Sequence, residues 1–61
     1  MELIRGKKYI ISINFDGKIL TYTCEIIEDD GTFFKFRDKF SEEYTYNKNI
    51  IVSVRRVNGN T

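Results

Sequence analysis

Residues 9–40 read YIISINFDGKILTYTCEIIEDDGTFFKFRDKF, and two turn signals inside them, Asp16-Gly17 and Asp29-Asp30-Gly31, divide the stretch into three alternating runs. A two-residue Asp-Gly loop supplies the two positive-φ positions of a tight type I′ hairpin. Closing that loop with Phe15 opposite Lys18 sets Ile13 against Leu20, Ile11 against Tyr22 and Tyr9 against Cys24. One face of the first strand is then Tyr9, Ile11, Ile13 and Phe15, and the matching face of the second is Leu20, Tyr22, Cys24 and Ile26. Asp29-Asp30-Gly31 suits a three-residue loop closed by a left-handed glycine. With Glu28 opposite Thr32, Ile26 falls against Phe34, Cys24 against Phe36 and Leu20 against Phe40. A slip of one residue would turn Phe34 and Phe36 to solvent. Both turns, chosen on turn chemistry alone, therefore predict one continuous apolar face on a three-stranded meander.

Outward from the meander, Ser41-Glu42-Glu43 reads as a turn and Tyr44-Thr45-Tyr46 as a short strand. Asn47-Lys48-Asn49 predicts one tight helical turn, since asparagine adopts turn geometry readily. A last strand is predicted from Ile50 to Val57, where Ile50, Val52 and Val54 alternate with Ile51, Ser53 and Arg55, so that both faces begin apolar. No apolar period of 3.6 residues persists anywhere, which argues against an α-helix. The expected fold is all-β: a small, five-stranded, strongly bent antiparallel barrel with one short helical turn before the last strand. One domain spans residues 1–61, with loose ends at 1–5 and 58–61.

The order of strands and turns resembles the Src-homology-3-like small barrels and, more narrowly, the Sm-like proteins, over roughly Gly6 to Val54. The first Sm-like motif would place its glycines, small residue and aspartates at Gly6, Gly17, Cys24, Asp30 and Asp38. Cysteine stands where that motif has glycine, and Asn47-Lys48-Asn49 stands where the second motif has Arg-Gly. The resemblance thus implies the barrel fold without the residues that would carry uridine recognition, and fold alone does not assign an activity.

Sixty-one residues with one cysteine and no histidine leave core packing as the main source of stability. A chain of this size buries only about 60% of its unfolded surface, and self-association is one way to bury more. Ten basic and nine acidic residues give a net charge of +1, which excludes a polybasic coat. No apolar run is long enough to span a bilayer, so no membrane role is expected, and a cytoplasmic location is. No residue set forms a catalytic centre, and neither a cofactor nor a metal is expected. Asp29-Asp30-Gly31 lacks the spaced oxygen ligands of a calcium loop and is explained as a turn. Cys24, on the core face with no cation beside it, reads as a small apolar residue.

The third strand carries the candidate site. Its solvent face is predicted as Phe33, Lys35, Arg37 and Lys39, a strip of rings and cations of the kind that binds single-stranded nucleic acid. Glu25 opposite Lys35 and Thr21 opposite Lys39 would instead make it a solvated, partly neutralised strand face. Arg55 and Arg56 form a second basic group with Arg5, Lys7 and Lys8, either as phosphate contacts or as charges that blunt a sheet edge. Asp38 is predicted on the inner side, facing the Tyr22 hydroxyl. Two functions follow. One is a non-enzymatic nucleic-acid-binding barrel of low sequence specificity, using Phe33, Lys35, Arg37, Lys39, Arg55 and Arg56, with DNA or RNA as partner. The other is a protein-interaction or self-assembling module, a dimer or ring formed through the Ile50 to Val54 edge, with no nucleic-acid role.

Overall fold

The computed structural model describes residues 2–57. Five strands follow in order: β1 (Lys8–Phe15), β2 (Lys18–Asp29), β3 (Phe33–Asp38), β4 (Glu43–Asn47) and β5 (Ile51–Arg56), with a 3₁₀ turn, Lys48–Ile50, before the last. They form one antiparallel sheet in the order β4-β3-β2-β1-β5. β4 and β5 are therefore opposite edges of the sheet, yet only the 3₁₀ turn joins them. A flat five-stranded sheet would separate them by about 19 Å. The four residue-to-residue steps from Asn47 to Ile51 span at most about 14 Å. The sheet must curl, and it does so into a strongly bent half-barrel whose two edges are not joined by a hydrogen-bonded ladder. Among the described residues no helix is long and apolar enough to cross a membrane.

The first hairpin has the expected register, Phe15 opposite Lys18 through to Tyr9 opposite Cys24. Its loop has φ of 55° at Asp16 and 81° at Gly17, the pair that a type I′ turn requires. The second hairpin has the expected faces but a different register. Ile26 lies opposite Phe36 and Cys24 opposite Asp38, two residues from the expected pairing. The loop carboxylates account for the difference. The Asp30 carboxylate accepts the Thr32 and Phe33 N–H groups at 2.9 and 2.7 Å, and Asp29 accepts that of Gly31 at 2.9 Å. These bonds carry the loop tip forward, so that Asp29 opposes Phe34, and a bulge between Ile26 and Glu28 then restores the parity. A shift of two residues leaves Phe34 and Phe36 inside, at 0% and 1% exposure.

β3 ends at Asp38, earlier than expected, because the Asp38 carboxylate accepts the N–H groups of Phe40 and Glu42 at 2.8 and 2.9 Å. Asp38 thus shapes the β3–β4 turn; it stays on the inner side opposite Cys24, where its charge acts on the Tyr22 hydroxyl, but the hydrogen-bond partner of that hydroxyl is the Tyr46 hydroxyl, 3.3 Å away. Lys39 and Phe40 fall in this turn, and Phe40 is exposed instead of pairing with Leu20. The 3₁₀ turn begins one residue later than predicted, capped by the Asn47 side chain, which accepts the Asn49 N–H. β5 pairs with β1 through a second bulge, between Ser12 and Ile13, where Ile11 meets Val54 and Ile13 meets Ile51. That extra residue sends both Ile51 and Val54 to the core, so the expected alternation along β5 does not hold.

Leu3, Tyr9, Ile11, Ile13, Cys24, Ile26, Phe34 and Phe36 form the core. Leu3 belongs to the segment expected to be loose. Its N–H donates to the Asp29 carboxylate at 2.8 Å, and the Ile4 N–H donates to the Tyr9 hydroxyl at 3.0 Å. The Gly6 N–H and the Lys7 carbonyl pair with Ile26 and extend the sheet toward this segment. The expectation for 58–61 falls outside the described residues.

Candidate functional site

Strand alternation decides which side chains share the outer surface. Phe34 and Phe36 point inward, so Phe33, Lys35 and Arg37 point outward, about 6.8 Å apart in successive steps. Phe33 is 47% exposed. Lys35 and Arg37 therefore stand as expected, and Lys39 does not: it lies in the turn, with its ammonium 5.4 Å from the centre of the Phe40 ring.

The partners of the strip differ from those expected. Glu25 opposes Arg37, and Lys35 opposes Glu28. On the other side Arg37 opposes Glu43 of β4, and Lys35 opposes Thr45. The Glu43 carboxylate holds both cations, with Oε2 2.9 Å from Arg37 Nη2 and Oε1 3.7 Å from Lys35 Nζ. All three side chains are 43% exposed, so solvent screens these pairs. The Arg37 hydrogen bond, foremost, holds the Glu43 carboxyl below the usual glutamate range, so Glu43 stays ionised near neutral pH.

The strip continues across the sheet. Lys8 opposes Glu25, Glu25 opposes Arg37 and Arg37 opposes Glu43, a row of alternating charge over four strands. Ile10, between Arg55 and Thr23, begins the next row. Val54 points to the core, so alternation puts Arg55 on the outer surface with Lys8 and Arg37. Arg56, opposite Tyr9, belongs to the other face of β5. The second basic group is thus divided, and only part of it joins the strip.

Two shallow hollows flank Lys35 and Arg37. One, of about 150 Å³, is lined in part by Lys8, Glu25, Arg37 and Lys39; the other, of about 90 Å³, by Glu28, Phe33, Lys35 and Thr45. A larger hollow, about 810 Å³, lies elsewhere, between Leu3, Asp29 and the 3₁₀ turn. The Asp29 carboxylate there is already engaged by Lys48 Nζ at 2.6 Å and by the N–H groups of Leu3 and Gly31. Size alone does not mark the site.

The inner side is aromatic. Tyr22 lies 5.0 Å from Phe36 and 5.2 Å from Tyr44, ring centre to ring centre, and Tyr44 stacks on Tyr46 at 6.0 Å and 9°. The hydrogen bond to Tyr46, followed by burial, raises the Tyr22 hydroxyl well above the usual phenol value. Cys24 is 3% exposed, and burial together with the Asp38 charge pushes its thiol up to about 11, which leaves it protonated and inert. The sequence reading did not anticipate Glu43 as the shared partner of Lys35 and Arg37. Continuing the pairing through the β3–β4 turn would have found it, had the end of β3 been placed at Asp38.

The chain matches no protein-family model, no curated protein and no solved structure.

Proposed function

We propose that this domain is a non-enzymatic binding module that holds single-stranded nucleic acid along the outer face of β3, with little preference for sequence. The observation that carries this reading is one shared surface formed by the exposed Phe33 ring, Lys35 and Arg37, extended across the sheet by Lys8 and Arg55. A base stacks on the ring while the cations follow the phosphates. Glu25 and Glu43 reduce the field of this face. The pairs that Glu43 makes with Lys35 and Arg37 are solvent-exposed and weak, and a strand that engages several cations at once displaces them. DNA and RNA fit this chemistry equally.

Fluorescence anisotropy with a short labelled poly-thymidine strand tests the reading. Binding is expected in the micromolar range at low salt, with log K falling against log salt at a slope of about −2 for about three phosphate contacts. The double substitution Lys35→Glu and Arg37→Glu is expected to weaken binding by at least tenfold, or about 1.4 kcal/mol, and leave the fold intact. Affinity unchanged by that substitution would overturn the assignment.

A second reading is self-assembly through β5, which among the described residues has no neighbouring strand on its outer side and carries Val52 at 57% exposure. The unpaired edge runs along Ile51–Arg56, because Ile50 lies in the 3₁₀ turn. An added strand from a second copy would satisfy its free N–H and C=O groups. A sedimentation mass of one chain at every concentration would eliminate this reading.

A further inference from the structure

Glu43 meets the two central cations of the outer face in a particular way. Its two oxygens are divided between them, Oε2 on Arg37 and Oε1 on Lys35. A phosphodiester makes the same demand on its surroundings, with one negative charge over two non-bridging oxygens, each able to accept from a guanidinium or an ammonium. We infer that Glu43 holds the place of a nucleic-acid phosphate, and that the space between Lys35 Nζ and the Arg37 guanidinium is a phosphate subsite which the chain fills from within. The inference rests on the functional reading above and names the subsite at its centre.

The local structure lets Glu43 leave this place without disturbing the fold. Its backbone is fixed: it is the first residue of β4, opposite Arg37, and the turn before it is held by the Asp38 carboxylate on the Phe40 and Glu42 N–H groups. Only the side chain has to move, and an exposed side chain changes rotamer in picoseconds to nanoseconds. Exchange replaces one singly charged acceptor by another, so both cations are paired before it and after it. Thr45, opposite Lys35 on the same outward face, puts a hydroxyl donor beside the position that the phosphate would take.

Glu43 is therefore a competitor that every incoming strand must displace. The other carboxylates of this surface differ from it. Glu25 and Glu28 lie opposite Arg37 and Lys35 in the ladder, but no ion pair joins either of them to those cations. This difference gives the test its control. Glu43→Gln and Glu25→Gln remove one negative charge each from the same face, and only the first frees the subsite. The amide of the first can still accept from Arg37, so the turn and strand are retained, which circular dichroism checks.

With the poly-thymidine strand as probe, Glu43→Gln is expected to bind about threefold to tenfold more tightly than wild type, and Glu25→Gln no more than about twofold more tightly. Equal tightening in the two variants would reduce the effect to net charge and overturn the subsite while leaving the binding face in place. Weaker binding by Glu43→Gln would likewise overturn it. Absence of binding by wild type and both variants at low salt would overturn the functional reading and the subsite with it. Binding by Glu43→Gln alone would support both.

Discussion

Phe34→Ala is expected to leave the chain unfolded at 25 °C. Phe34 is fully buried, stacked on Phe36 at 5.4 Å and packed near Tyr46. Truncating a buried phenylalanine costs about 3–5 kcal/mol through lost transfer energy and the cavity left behind. A single core of this size rarely supplies more than about 3–5 kcal/mol in total. The neighbouring Phe33→Ala is the informative comparison. That ring lies on the opposite face at 47% exposure, and its removal should change stability by no more than about 0.5 kcal/mol. Urea denaturation followed by circular dichroism separates the two. A larger loss in Phe33→Ala than in Phe34→Ala would mean that the inward and outward faces of β3 are exchanged, and equal losses would contradict the assignment of the two faces.

Asp29→Ala is expected to cost about 2–3 kcal/mol, the largest effect of any polar substitution in the fold. The Asp29 side chain is 3% exposed and links its own turn, through the Gly31 N–H, to two distant parts of the chain, the Leu3 N–H and the Lys48 ammonium at the 3₁₀ turn. Removing it releases the segment that brings Leu3 into the core and leaves Lys48, itself 17% exposed, without this carboxylate. The same contacts make stability depend on pH. Burial opposes ionisation of Asp29, but the Lys48 hydrogen bond and the Leu3 and Gly31 N–H groups outweigh it and hold its carboxyl below the usual aspartate range. A carboxylate whose folded pKa is depressed stabilises the fold above its unfolded pKa, and that contribution is lost as pH falls through the folded value. Stability should therefore decline below about pH 4, the unfolded reference for aspartate. The decline should be shallower in Asp29→Ala, though not absent, because Asp30 and Glu43 are depressed as well. Thermal melts from pH 7 to pH 2 measure this, and an identical acid limb in the two proteins would contradict the assignment to Asp29.

The parts of the fold that were legible in the sequence are those governed by local geometry. A type I′ loop leaves no freedom, so Asp16-Gly17 determined every pair of the first hairpin. The second loop allowed more than one closure, and what selected among them was where the Asp29 and Asp30 carboxylates found N–H donors. Parity survived because the hydrophobic pattern tolerates a slip of two residues but not of one. Features that join distant residues were not legible. Nothing local marks Leu3 as part of the core or Lys48 as the partner of Asp29, nineteen positions away. A bulge has no reliable signature in a run such as Ile50-Ile51-Val52-Ser53-Val54, and there it placed Ile51 and Val54 on one face. At the candidate site the positions of Phe33, Lys35 and Arg37 followed from alternation. The loss of Lys39 followed from a side-chain cap at Asp38, and the role of Glu43 from a ladder that begins only after that cap.

The outer face of β3 is tested most directly by amide chemical-shift mapping of ¹⁵N-labelled protein titrated with a poly-thymidine strand at low salt. Shifts are expected to concentrate at Phe33, Lys35, Arg37, Glu43 and Thr45 and to continue to Lys8, Glu25 and Arg55, with Leu20, Tyr22, Tyr44 and Tyr46 on the inner side little changed. Shifts confined to the inner tyrosines, or none at all at saturating strand, would contradict this assignment.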